Sequence, residues 1–169
     1  MPDWLTHLLI GLILIELIPL KKKGWKSLIL LGTILPDILT KLLLVEKWVP
    51  LPEGFSILTT FHKPFILILF ILLVAPLFRS TYRIIVFALS LGTASHILSD
   101  FMLHHLDPAS GIMLLYPFSL ERFSLGWIWP EESYLIFIPL LLVYLGIILF
   151  KSLLKKKMIR SKLSPNKLE

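Results

Sequence analysis

The chain has 169 residues, of which 56 % are hydrophobic and 17 % charged, with a mean hydropathy of +0.84. A water-soluble domain carries roughly 25 % charged residues, so this composition excludes an ordinary soluble globule, and its long Leu/Ile runs point to a membrane-embedded chain. There is no cysteine, which excludes disulfides and thiolate zinc sites and leaves imidazole and carboxylate as the only strong metal ligands. The formal net charge of +6 lies mostly in short clusters beside apolar runs. That is the mark of membrane topology, and no nucleic-acid partner is expected.

Five apolar segments follow in chain order. The first, 4–20, is closed by Lys21, Lys22 and Lys23; a secretory signal carries its charge before the apolar run, so this reads as a retained helix. The second, 25–45, is interrupted by Gly32, Pro36 and Asp37. The third spans 62–78, the fourth 82–105 and the fifth 134–150. Their lengths suit the roughly 20 residues that cross the hydrocarbon core. The expected fold is an all-α integral membrane protein, a bundle of about five transmembrane helices. A basic cytoplasmic tail, 151–169, follows it.

Alternating crossings put Lys21, Lys22, Lys23, Lys26, Arg79, Arg83 and the seven cations of the tail on one side, thirteen of seventeen. Lys41, Lys47, Lys63 and Arg122 remain on the other. By the positive-inside rule the C-terminus is cytoplasmic and the N-terminus outside, in a multi-pass protein of the cell or inner membrane. The longer loops, 46–62 and 106–133, then lie outside. The second contains Trp127-Ile-Trp129 and is apolar enough to lie in the interface or fold over the mouth of the bundle.

Ionisable groups within spanning segments cost about 2.5–3.5 kcal/mol each on insertion scales, and persist where they meet a partner, a cavity or an ion. Here they are His7, Glu16, Asp37, Lys41, His96 and Asp100, with His62, His104 and His105 at segment ends. With alternating crossings, His7, Asp37, His62, His96 and Asp100 all fall in the outer half of the membrane, on four helices. Glu16 falls at the inner end beside the lysines. His96 and Asp100 are spaced i, i+4, one above the other on a helix face, so one rigid helix can present two ligands to one ion. Neutral imidazole with carboxylate suits zinc, with manganese and iron as alternatives. His104 extends the stripe and is a further candidate ligand; His105 reads as interfacial and solvated. Simpler readings exist for single residues. Asp37 and Lys41 are also i, i+4 and would pair, and a lone His7 is more often a hydrogen-bonded interface residue than a ligand.

Several segments carry a resemblance. They are Met1-Pro-Asp-Trp-Leu-Thr-His7 with Gly11, Gly32-Thr-Ile-Leu-Pro-Asp37, His62, Gly92-Thr-Ala-Ser-His96-Ile-Leu-Ser-Asp100, and Gly111-Ile-Met-Leu-Leu-Tyr-Pro-Phe-Ser119. In this order, over residues 1 to about 125, the chain resembles the membrane-bound metal-dependent hydrolases, the YdjM-like inner-membrane family. Many members carry a His-Arg pair and then Thr-His-Ser before the third helix, where this chain has Thr60-Phe-His62. The order His, Asp, His, HxxxD is also similar, more distantly, to that of zinc-dependent phospholipase C and its nuclease relatives. That similarity implies one metal on Asp37, His62, His96 and Asp100, with His7 near a second metal bridged by Asp100.

The expected function is therefore metal-dependent hydrolysis at the extracytoplasmic face. Water activated by a divalent metal would attack a phosphoester, and a lipid or lipid-linked substrate suits a site at that depth. Asp37 or Asp100 would serve as the base. The rivals are a metal-ion or proton transporter, which needs polar groups through both membrane halves, and a non-catalytic membrane assembly protein, in which the same residues only hold helices together.

Overall fold

The structure, a computed structural model, describes residues 4–19, 23–42, 60–78, 82–104, 111–132 and 134–163. The loop segment at 46–59, His105 and the end of the tail lie outside the described residues. Among the described residues five α-helices carry the fold: α1 Trp4–Leu17, α2 Lys23–Leu42, α3 Pro64–Val74, α4 Tyr82–Phe101 and α5 Tyr134–Leu163. Short 3-10 turns sit at Thr60–His62, Ala75–Leu77 and Pro130–Glu132. The described residues contain no strand beyond two isolated bridges, Leu103 with Ile128 and Ile112 with Phe123.

Proline places several boundaries. The last helical bond of α1 runs from the Ile18 N–H to the Leu14 carbonyl, 3.0 Å, and Pro19 has no N–H to continue it. Pro64 occupies the first turn of α3, where its missing donor costs nothing, after an extended Lys63. The fifth helix does not stop at the end of its apolar run. It continues through the basic segment to Leu163, since Leu, Lys, Met and Arg are all good helix formers.

Among the described residues two helices are long and apolar enough to cross a membrane, Tyr82–Phe101 and Tyr134–Arg160. The apolar helices at Trp4–Leu17 and Pro64–Leu77 are shorter, about 21 Å each. The second helix has the length but carries Lys23, Lys26, Asp37 and Lys41.

The helices differ in how they are buried. The packing centre is the contact of α2 with α4, where two glycines let the backbones meet. A Cβ on Gly32 would stand 2.6 Å from the Leu89 carbonyl oxygen, and one on Gly92 would stand 2.3 Å from that of Ile29. α1 closes on the same place, with Gly11 facing Leu30 and Thr33. Ile15, Ile29 and Ala88 fill the seam between these three helices, and Ile71, Ala75, Ile85 and Leu89 join α3 to α4. In contrast α5 lies outside the bundle against α1, and its stretch before Lys151 is apolar on every side with no residue buried. Such a helix belongs in lipid. Lys151 of α5 pairs with Glu16 of α1 at 2.8 Å, and Lys26 of α2 stands 3.9 Å from the same carboxylate.

The segment after α4 folds back over the end of that helix. Backbone bonds run from Leu125 N–H to Phe101 O, from Trp127 N–H to Met102 O and from His104 N–H to Ile128 O. Ile112 joins Leu67 and Ile97 in a third core cluster, while Phe118 stands 91 % exposed.

Candidate metal centre

Pro36 shapes one wall of the site. It lies inside α2 and removes the N–H that would have bonded to the Gly32 carbonyl. The Thr93 hydroxyl of α4 takes up that carbonyl at 3.4 Å. One residue on, the Thr33 carbonyl accepts a hydrogen bond from His96 Nδ1, 2.7 Å away. The proline break and the glycine crossing thus expose backbone of α2 to side chains of α4, and they hold Asp37 and His96 on facing surfaces.

Five side chains from four elements converge there: His7 from α1, Asp37 from α2, His62 from the turn before α3, and His96 and Asp100 from α4. His7, Asp37 and His96 are at most 1 % exposed and Asp100 is 5 % exposed. The His62 side chain, 19 % exposed, forms the open edge. The nitrogens and carboxylate oxygens face each other at intermediate range. His96 Nε2 lies 3.2 Å from Asp100 Oδ2, and His62 Nε2 lies 3.4 Å from Asp37 Oδ1. His7 Nε2 is 3.5 Å from Asp100 Oδ1, and His62 Nε2 is 3.7 Å from Asp100 Oδ2. His96 Nε2 is 4.0 Å from Asp37 Oδ1. The His7 and His96 rings stack with centroids 3.9 Å apart.

The tautomers follow from the surrounding hydrogen bonds. His96 donates its Nδ1–H to Thr33, so in the neutral ring the lone pair is on Nε2, on the side of the carboxylates. The Thr40 hydroxyl donates to the Pro36 carbonyl at 2.7 Å, so its oxygen accepts from His62 Nδ1 at 3.2 Å. That leaves the Nε2 lone pair of His62 facing inward as well. Thr33, Thr40 and Thr93 carry no signal of their own in the sequence; only the placement of Pro36 hints that backbone carbonyls need partners nearby.

These residues fit a divalent metal. Both Asp37 oxygens, both His7 nitrogens, Asp100 Oδ1 and the Nε2 atoms of His62 and His96 are buried without a hydrogen-bond partner. Charge-assisted hydrogen bonds between such groups would be about 2.7–2.9 Å long. Two ligands held tetrahedrally at about 2.0–2.1 Å from one zinc stand about 3.3 Å apart, close to the shorter separations here. Two sets of ligand atoms each lie within 4.8 Å of one another, His7, Asp37, His96 and His62, His96, Asp100. They share His96 and form one cluster. Two carboxylates side by side in a buried site also call for positive charge, which a dication would supply.

The remaining sequence candidates are elsewhere. His104 stacks on Trp129 with centroids 3.8 Å apart and belongs to neither ligand set. Lys41 does not pair with Asp37; its ammonium lies over the Trp4 ring, 3.9 Å from the centroid, since the groups around Asp37 come from other helices. Glu16 lies apart from the cluster, paired with Lys151 and near Lys26.

The family model described as YdjM inner membrane protein matches residues 1–164. No curated protein and no solved structure matches the chain.

Proposed function

We propose that this chain, which belongs to the YdjM inner membrane protein family, is a multi-pass metal-dependent hydrolase that acts on a phosphoester at the extracytoplasmic face. One observation carries the reading: three imidazoles and two carboxylates from four separate elements meet in a buried pocket, with their polar atoms turned toward one another. A merely structural cluster would close into hydrogen bonds, because unpaired buried polar atoms cost about 1–3 kcal/mol each.

Asp37, His62, His96 and Asp100, with His7 beside them, would hold a divalent cation, zinc favoured over manganese or iron, which when bound would supply Lewis acidity and bring the pKa of water toward about 7. The chain's own residues do the rest. His96 and His62 present lone pairs fixed by Thr33 and Thr40. Asp37 and Asp100 supply negative charge, and the one less committed to the metal accepts the proton of the attacking water. His62, at the open edge, faces the incoming ester, and His7 closes the floor.

Orientation rests on the thirteen cations assigned to one side. In this reading α4 and α5 cross fully, and the shorter α1 and α3 with the charge-bearing α2 complete the five passes packed against them. The transporter reading is disfavoured because the described inner half offers Glu16 alone, already bound to lysines.

The deciding experiment is elemental analysis of detergent-purified protein, with phosphoesterase assays in lipid. Stoichiometric metal that is lost in the His96→Ala/Asp100→Ala variant, together with turnover, supports the proposal. Wild-type protein without metal, or a variant with undiminished metal, overturns it. Metal flux into liposomes without turnover favours the transporter.

A further inference from the structure

Beside the cluster, α3 and α4 enclose a groove of about 610 Å³, within the range of small-molecule sites, about 300–1,000 Å³. Its floor is buried, formed by Leu67, Ile71, Thr93 and Ile97, and its rim is exposed at Ile68 and Leu98. The Thr93 hydroxyl is engaged with the Gly32 carbonyl. Ser90 and Ala94 of α4 line it with small side chains.

The ends of the groove identify its occupant. Pro64 and Phe101 line one end. Pro64 follows His62 by two residues and Phe101 follows Asp100 directly, and these are the two most accessible members of the cluster. The other end reaches Ser90, eleven residues and about 16 Å farther along α4. That length is close to half the roughly 30 Å hydrocarbon core. A polar, charge-bearing pocket at one end of an apolar slot one leaflet deep is complementary to a single amphiphile.

We infer that the α3–α4 groove holds an acyl chain of the substrate, a membrane lipid whose phosphoester head lies at the His/Asp cluster. The inference rests on the hydrolase reading for the role of the head, and on the groove alone for the chain. Filling the slot with hydrocarbon restores the dispersion contacts that an empty one forfeits.

The test uses the full chain in liposomes containing a phosphatidylglycerol with a photoactivatable diazirine at the end of one acyl chain, and, separately, a diacylglycerol with the same chain. Labelled residues are read by peptide mass spectrometry. The phospholipid probe is expected to label Ile71, Ser90 and Ala94 at least about tenfold more than lipid-facing Leu142 of α5. The diacylglycerol should not show that preference, and Ala94→Trp should abolish it while metal content stays at the wild-type level. Equal labelling of groove and α5, equal preference with both probes, or indifference to Ala94→Trp would overturn the inference. The outcomes separate the two claims. Metal without groove labelling removes only the acyl slot, whereas groove labelling in a metal-free protein removes hydrolysis and leaves a lipid site.

Discussion

His96 of α4 donates its Nδ1–H to the Thr33 carbonyl of α2 across 2.7 Å. The same imidazole turns Nε2 toward Asp100, 3.2 Å away. One ring thus joins the helix contact to the cluster. The close approach of α2 and α4 at Gly32 and Gly92 is what brings that carbonyl within reach, so packing and ligand orientation are coupled.

That coupling is testable at the glycines. Gly92→Ala puts a methyl group 2.3 Å from the Ile29 carbonyl oxygen, which forces the helices apart at a typical cost of 1–3 kcal/mol. A lowered Tm accompanied by reduced metal content is expected. Gly146→Ala on α5 meets nothing within 4 Å and should leave Tm unchanged or raised, because alanine is the better helix former. Thermal denaturation in detergent compares the two.

Thr40 tests the orientation of His62. Thr40→Val keeps the shape of the side chain but removes the oxygen that accepts from His62 Nδ1. Loss of such an outer partner typically lowers metal affinity about 10–100-fold. Competition against a chromophoric chelator should show this loss, and Thr40→Ser should recover most of it. Unchanged affinity in Thr40→Val would mean that the Thr40 hydroxyl does not orient His62 for metal binding.

Metal removal should also change stability. A metal that binds the folded chain alone stabilises it by mass action, so chelation should lower the wild-type Tm. Asp100→Asn removes a ligand charge, and its Tm should be insensitive to chelator. A wild-type Tm that ignores chelation would count against a resident ion.

The absence of cysteine makes orientation directly measurable. Single-cysteine variants Phe118→Cys and Lys157→Cys place thiols at exposed positions on the loop after α4 and on the basic end of α5. A membrane-impermeant maleimide should label the first in intact spheroplasts and the second only after permeabilisation. The reverse pattern would invert the topology.

The sequence by itself determined the helical class, the lipid setting of α5 and the set of polar residues worth watching, because hydropathy and the i, i+4 spacing of His96 and Asp100 are local properties of the chain. It also marked Pro36 as a break and Glu16 as a partner for lysines. Helix ends were less legible. The fifth helix runs on to Leu163 because lysine-rich sequence is helical whether or not lipid surrounds it. Tertiary structure alone decided that His7, Asp37, His62, His96 and Asp100 share one pocket, that His104 turns instead to Trp129 and Lys41 to Trp4, and that three threonines support the histidines and the broken helix. Those outcomes depend on how helices rotate about their axes and on where glycine lets two backbones touch. Such relations join residues far apart in the chain, and no short window of sequence contains them.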